Sequence, residues 1–303
     1  MPRNRVGWHG SFAVIVTPFA EGGDIDETAY RQVVEGVIDA GCHGVISAGS
    51  TGEFFLMSNE ERKRVFSIAV DQARGRVPII AGTSATRPQD VVDLTRAAAE
   101  LGCAGAMVLP PIYIGVDNRE VAEFYRRVAG DGGLPIMLYN SPHAVRNFLT
   151  PQLVEKLMEL DNVVAIKDSS LDLRQLNGLV RRCGQEIRIF IGLEDLLLSA
   201  LAVGAAGAVA MMPQVAGRMA VDLYETAVAG DMQRAREIHA KIDRLYDLFN
   251  VGSGYVAIKE TMNMLGRPGG HSRPPMMPFT DEQRAQLRQI CEDVGLLVPS
   301  AVS

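Results

Sequence analysis

The chain has 303 residues, of which 47% are hydrophobic and 22% charged, enough for one large domain or two small ones. Thirty Lys and Arg against 36 Asp and Glu leave a net charge of −6, which argues against a general affinity for nucleic acid or an anionic membrane and leaves room for a local basic pocket. Cys42, Cys103, Cys183 and Cys291 are widely spaced and form no CxxC pair, so they read as buried free thiols of a reducing compartment. Residues 1–9 are polar, with no apolar h-region behind the arginines, and a secretory signal is not expected. The uncharged stretch 196–212 is too short and too rich in Gly and Ala for a membrane span; it reads as a helix followed by a buried strand. A cytoplasmic protein is expected.

Short apolar runs recur about every 30 residues, the spacing of βα units. They cover 12–16, 44–48, 78–82, 106–109, 135–139, 163–167, 188–191 and 208–211. None alternates, which suits strands of a parallel sheet buried on both faces. Helical periodicity fills the gaps. Residues 26–40 place Tyr30, Val33, Val34, Val37 and Ile38 on one face, and 59–73 do so with Val65, Ile68 and Ala69. Ser58 followed by Glu61 predicts a capping box, and Thr150-Pro151 predicts an N-cap with Pro at the first turn. Gly41, Gly102 and Gly204 read as helix stops. Eight such units over residues 1–230 predict a (β/α)8 barrel. The open doubly wound sheet is the competitor, but no GxGxxG follows the first run. Residues 231–303 carry no strand pattern and read as a helical extension packed on the barrel, with helices near 231–249, 254–265 and 280–294.

Barrel chemistry sits where the strands end and in the loops that follow. Three places qualify. Gly49-Ser50-Thr51-Gly52-Glu53 offers backbone N–H groups and hydroxyls to a carboxylate without a fixed positive charge, or is simply a tight turn. Tyr139 ends the fifth run, as a proton donor and acceptor or as a core aromatic. Lys167 follows four apolar residues. A lysine desolvated there exposes a neutral amine able to form a Schiff base with a carbonyl; the structural alternative is a lysine paired with Asp168. His9, His43, His239 and His271 are scattered, with no metal-ligand spacing.

Together these segments resemble the dihydrodipicolinate synthase / N-acetylneuraminate lyase family of pyruvate-type Schiff-base enzymes. The resemblance spans nearly the whole chain: Val16-Thr17-Pro18-Phe19, Gly49-Ser50-Thr51-Gly52-Glu53, Pro110-Pro111-Ile112-Tyr113, Tyr139-Asn140-Ser141-Pro142, Ile166-Lys167-Asp168 and Tyr255-Val256-Ala257-Ile258-Lys259. It implies Lys167 as the nucleophile on the keto carbon of a 2-oxo acid and Tyr139 as general acid/base. It also implies Thr51 as the hydroxyl linking Tyr139 to Tyr113, with Tyr113 reaching in from a neighbouring subunit of a homotetramer. Ser50 and Thr51 resemble the carboxylate cradle, and Val209 the residue whose carbonyl lies beside the keto acid. The iminium is the electron sink, so no metal or organic cofactor is implied.

One departure bears on substrate. In Tyr139-Asn140-Ser141-Pro142-His143-Ala144-Val145-Arg146, Ala144 stands where the synthases carry the arginine that helps bind aspartate semialdehyde. Arg146 is offset by two residues. The sugar-acid branches of the family lack that arginine, and lyases of the sialic acid type use Ser-Thr where most synthases use Thr-Thr, as in Ser50-Thr51. His143, Arg146 and Ser169 are further candidate substrate contacts. Phe54, Phe55, Asn59 and Ile112 replace the residues of lysine-inhibited synthases, so lysine feedback is not expected. The sequence therefore reads as a Schiff-base-forming lyase, an aldolase or dehydratase acting on pyruvate, a 2-oxo-3-deoxy sugar acid or a similar 2-oxo acid through Lys167. The alternatives are 4-hydroxy-tetrahydrodipicolinate synthase and a non-catalytic barrel binding a keto acid.

Overall fold

The structure, a computed structural model, describes residues 6–298; the readings that fall on residues 1–5 and 299–303, the polar start and the tip of the extension, lie outside the described residues. Eight parallel strands close into a barrel in chain order: β1 (Gly10–Val14), β2 (Gly44–Ser47), β3 (Ile79–Gly82), β4 (Gly105–Val108), β5 (Ile136–Asn140), β6 (Val163–Asp168), β7 (Arg188–Ile191) and β8 (Gly207–Ala210). β8 returns to β1 with Val209 opposite Phe12. Each strand is among the eight apolar runs, with ends that differ by at most two residues and β7 matching at both.

Alternation along the strands divides the core in two. Phe12, Val14, Ile46, Ile80, Met107, Met137, Phe190 and Val209 pack inside the barrel. Ala13, Val45, Ile79, Ala106, Leu138, Ile166 and Ala208 join the layer shared with the surrounding helices. Aromatic rings plug the N-terminal end: Phe12 meets Phe190 edge-on at 5.2 Å and Trp8 at 6.2 Å. The opposite end, where the strands finish, is left for polar side chains.

The helices begin and end as their sequences dictate. Helix Asn59–Ala73 starts with the Ser58–Glu61 capping box, and Pro151–Leu157 starts on Thr150, whose side chain accepts from Leu153 N. Gly41, Gly102 and Gly204 hold φ of +89°, +88° and +101° just beyond their helices, a conformation that favours glycine. Uncharged residues 196–212 form helix Leu197–Ala202 and then β8. All four cysteines are free and buried. No helix among the described residues is long and apolar enough to cross a membrane.

After β8 the chain is helical, chiefly Arg218–Val228, Met232–Tyr246, Gly254–Met264 and Asp281–Asp293. Buried polar contacts fasten these helices to the barrel's loops. Glu194, 1% exposed beyond β7, accepts from Met212 N at 2.7 Å and from the Tyr246 hydroxyl. Burial raises the Glu194 carboxyl above its ordinary pKa against the pull of Tyr246 and Met212.

Candidate active site

β5 and β6 set Tyr139 opposite Lys167 and Asn140 opposite Asp168. Tyr139 and Lys167 therefore share the inner face, while Asn140 and Asp168 share the outer one. Lys167 is 5% exposed, and its Nζ lies 4.4 Å from the centroid of the Tyr139 ring. Asp168 accepts from Asn140 Nδ2 at 2.6 Å and from Ser170 Oγ at 2.8 Å. Asp168 is thus engaged on the other side of the sheet, which removes the reading of Lys167 as its ion-pair partner.

Burial alone would push the Tyr139 phenol up, but the charge on Lys167 and the hydroxyls of Ser141, Ser50 and Ser169 outweigh it and hold the phenol below its ordinary value. Such a group exchanges protons more readily at neutral pH. Beside Lys167 stands a glycine: a Cβ on Gly192 would overlap Ser169 Oγ and stand 2.9 Å from Lys167 Cε, so a larger residue would displace both site side chains. The absent side chain at Gly192 thus leaves room beside the end of the lysine.

The loop after β2 is held in a strained shape. Ala48 and Glu53 have φ of +51° and +60°, where side chains are disfavoured. Ser50 O accepts from Glu53 N at 3.0 Å, Gly49 O from Phe54 N at 3.4 Å, and Gly52 O from Thr17 Oγ1 at 2.8 Å. Glu53 and Lys259, 0% and 1% exposed by side chain, form an ion pair at 2.5 Å. Lys259 also donates to His271 O at 2.8 Å and lies 4.5 Å from the Phe19 ring centroid. Burial lowers Lys259 to about 8, although Glu53 opposes the shift; burial likewise raises Glu53 against the pull of Lys259.

Ser50 is half-buried, Thr51 is 3% exposed, and Val209 is fully buried on the inner face of β8. Ser169 reaches Tyr139 from the end of β6. His143 and Arg146 are exposed in the turn after β5, and Tyr113 is 81% exposed after β4. Four residues that sequence reasoning gave no individual role belong to this arrangement: Ser141, Gly192, Glu53 and Lys259. Three of them lay inside quoted motifs; Gly192 carried no local signal. His9 and His43, read as scattered, meet with ring centroids 5.4 Å apart beside β1 and Tyr224. Among the described residues no group of three or more His, Cys, Asp or Glu is placed to hold a metal ion.

A closed barrel with a buried lysine beside a buried tyrosine at the strand ends fits the class of Schiff-base enzymes. Residues 8–294 match the model of the dihydrodipicolinate synthetase family. The chain belongs to that family and is a class I, lysine Schiff-base lyase. A DapA-like lyase of Rhizobium meliloti is 35% identical over 287 residues, 94% of this chain and 95% of the relative. A 4-hydroxy-tetrahydrodipicolinate synthase of Thermus thermophilus is 35% identical over 292 residues, 96% of this chain and 97% of its own. Among solved structures, YagE from Escherichia coli K12, a member of the dihydrodipicolinic acid synthase family crystallised with pyruvate, superposes with a TM-score of 0.93. It is 28% identical and covers 96% of this chain and 100% of its own.

Proposed function

We propose that Lys167 is the Schiff-base lysine and that the enzyme is an aldolase or dehydratase of a 2-oxo-3-deoxy sugar acid. The observation that carries the first part is the buried Lys167 amine 4.4 Å from the Tyr139 ring centroid, with no carboxylate partner among the described residues. The neutral amine attacks the keto carbon. A carbinolamine forms, water leaves, and the iminium draws electrons from the adjacent carbon. Tyr139 passes protons to and from the reacting atoms, aided by Ser50, Ser141 and Ser169. The substrate carboxylate rests on the loop of Ser50 and Thr51, with the Val209 backbone beside it. In the assembled homotetramer Tyr113 of a neighbour completes the proton path through Thr51.

The sugar-acid reading rests on Ala144, which offers no charge to a second substrate carboxylate. The specific observation favouring dihydrodipicolinate synthesis is that relatives at 34–35% identity carry the name 4-hydroxy-tetrahydrodipicolinate synthase. Both readings share the first step. Incubation with pyruvate and borohydride is therefore expected to add one reduced pyruvate to each chain, and peptide mapping to place it on Lys167. Label on Lys156, Lys259 or another lysine, or persistence of trapping in Lys167→Ala, would refute the assignment.

A further inference from the structure

Arg62, on helix Asn59–Ala73, is 2% exposed. Its Nη2 donates to Gly82 O, and its Nε has no acceptor. Its Cζ stands 5.2 Å from the centroid of the Phe54 ring. It forms no ion pair among the described residues. Burial lowers it to about 10, with the charge of Asp90 opposing, so it stays cationic at neutral pH. A buried cation with no carboxylate in direct contact is costly, which makes a purely structural arginine a poor solution here.

Both contacts of the guanidinium lead to one loop. A Cβ on Gly82 would stand 2.2 Å from Ala48 O and 3.0 Å from Gly49 N, so the carbonyl that Arg62 holds belongs to a residue pressed against the start of the loop. Phe54, under the guanidinium, closes the loop through its bond to Gly49 O. Ser50 and Thr51 lie between those two points. Sequence reasoning treats this loop as binding a carboxylate without a fixed positive charge; the fold buries one beside it, bonded to Gly82 O and stacked on Phe54.

We propose that Arg62 is a positioning residue of the carboxylate cradle, a buried, unpaired cation that makes the loop of Ser50 and Thr51 prefer a carboxylate over an uncharged group. The inference rests on the reading that this loop receives the keto acid's carboxylate. The test compares borohydride trapping of pyruvate with that of methyl pyruvate, which has the same keto group and no charge. In Arg62→Gln the half-saturating pyruvate concentration is expected to rise about tenfold and that of the ester to change less than about twofold, the scale of one buried charge acting through an effective dielectric constant of about 20. Arg62→Lys, which keeps the charge, is expected to retain the pyruvate-to-ester preference of the natural protein. Equal weakening of both ligands in Arg62→Gln would reduce Arg62 to a packing role, and no weakening of pyruvate would remove it from the site; either overturns the proposal. If Arg62→Gln does not fold, Arg62→Met makes the same uncharged comparison, and an unchanged pyruvate-to-ester preference in it overturns the proposal. Absence of pyruvate trapping on Lys167 in the natural protein is a different failure: it overturns the functional reading, and this inference with it.

Discussion

In the turn after β5, Ala144 is exposed and its amide donates to Ser141 O at 2.9 Å. A distal carboxylate arriving there meets a methyl group, with the exposed Arg146 two residues on. A charged hydrogen bond contributes about 1.5–3 kcal/mol, so loss of a bidentate arginine–carboxylate pair costs roughly 10²-fold or more in rate constant. Condensation of pyruvate with aspartate semialdehyde is accordingly expected to show a kcat/KM at least that far below the best of a panel of 2-oxo-3-deoxy sugar acids. Steady-state rates on the panel and on the semialdehyde check this. A semialdehyde value of about 10⁴ M⁻¹s⁻¹ or more, in the ordinary enzyme range, would restore the synthase reading. Arg146→Ala would then be expected to abolish that activity. Lys167 and Tyr139 were legible because a lysine and a tyrosine ending apolar runs are chemically conspicuous. Gly192 was not, because its task is defined by a neighbouring strand.

At the scale of elements, the loop after β2 is a point where distant segments converge. Thr17, Phe19, Lys259 and His271 support it, although they are far apart in the chain. The strands and the capping box are legible because buried parallel strands are continuous apolar runs and Ser-x-x-Glu is a local code. Long-range polar pairing has no such code, and the clamp of Arg273 on Glu61, Leu56 O and Gly23 O is invisible in the sequence. Arg273 holds the Glu61 carboxyl down to about 2, with burial opposing and the Ser58 contacts assisting. The sign follows from linkage: because the folded value lies below the ordinary 4.5, the unfolded chain binds the proton first as pH falls. The stabilisation is complete above the unfolded value and disappears as pH drops through the folded one. Glu61→Gln keeps the capping box and removes the charge. Allowing for the solvent screening of a partly exposed pair, it is expected to lower unfolding free energy by about 1–2 kcal/mol at neutral pH. Denaturant unfolding at neutral pH and at successively lower values should show that gap closing below about pH 4.5, the ordinary glutamate range. A gap independent of pH would assign the loss to cap geometry instead of charge.

At the scale of the whole molecule, one loop makes little sense in a single chain. Tyr113 is 81% exposed, yet its φ of +79° lies where a bulky residue is a genuine outlier. The fold maintains that shape deliberately: Asn147 accepts from Val116 N at 2.9 Å and donates to Pro111 O at 2.7 Å and Ile114 O at 2.8 Å, bracketing Tyr113 on both sides. Neighbouring Ile114 is 56% exposed as well. A strained, clamped aromatic presented to solvent fits a side chain destined for another subunit's site, as proposed for the homotetramer. Complementation tests this directly. In the proposed roles, Lys167→Ala lacks the nucleophile and Tyr113→Phe lacks the phenol given to its neighbour, so each alone is expected to be strongly impaired. In mixed oligomers, a Tyr113→Phe chain keeps its own Lys167 and receives an intact Tyr113 from a Lys167→Ala neighbour. That site is whole, so the mixture should exceed the summed activity of the two variants once subunits have exchanged, as followed by native mass spectrometry. If exchange is complete and activity stays at the sum, Tyr113 does not serve across the interface, and the proton path must run within a single chain through Ser50, Ser141 and Ser169.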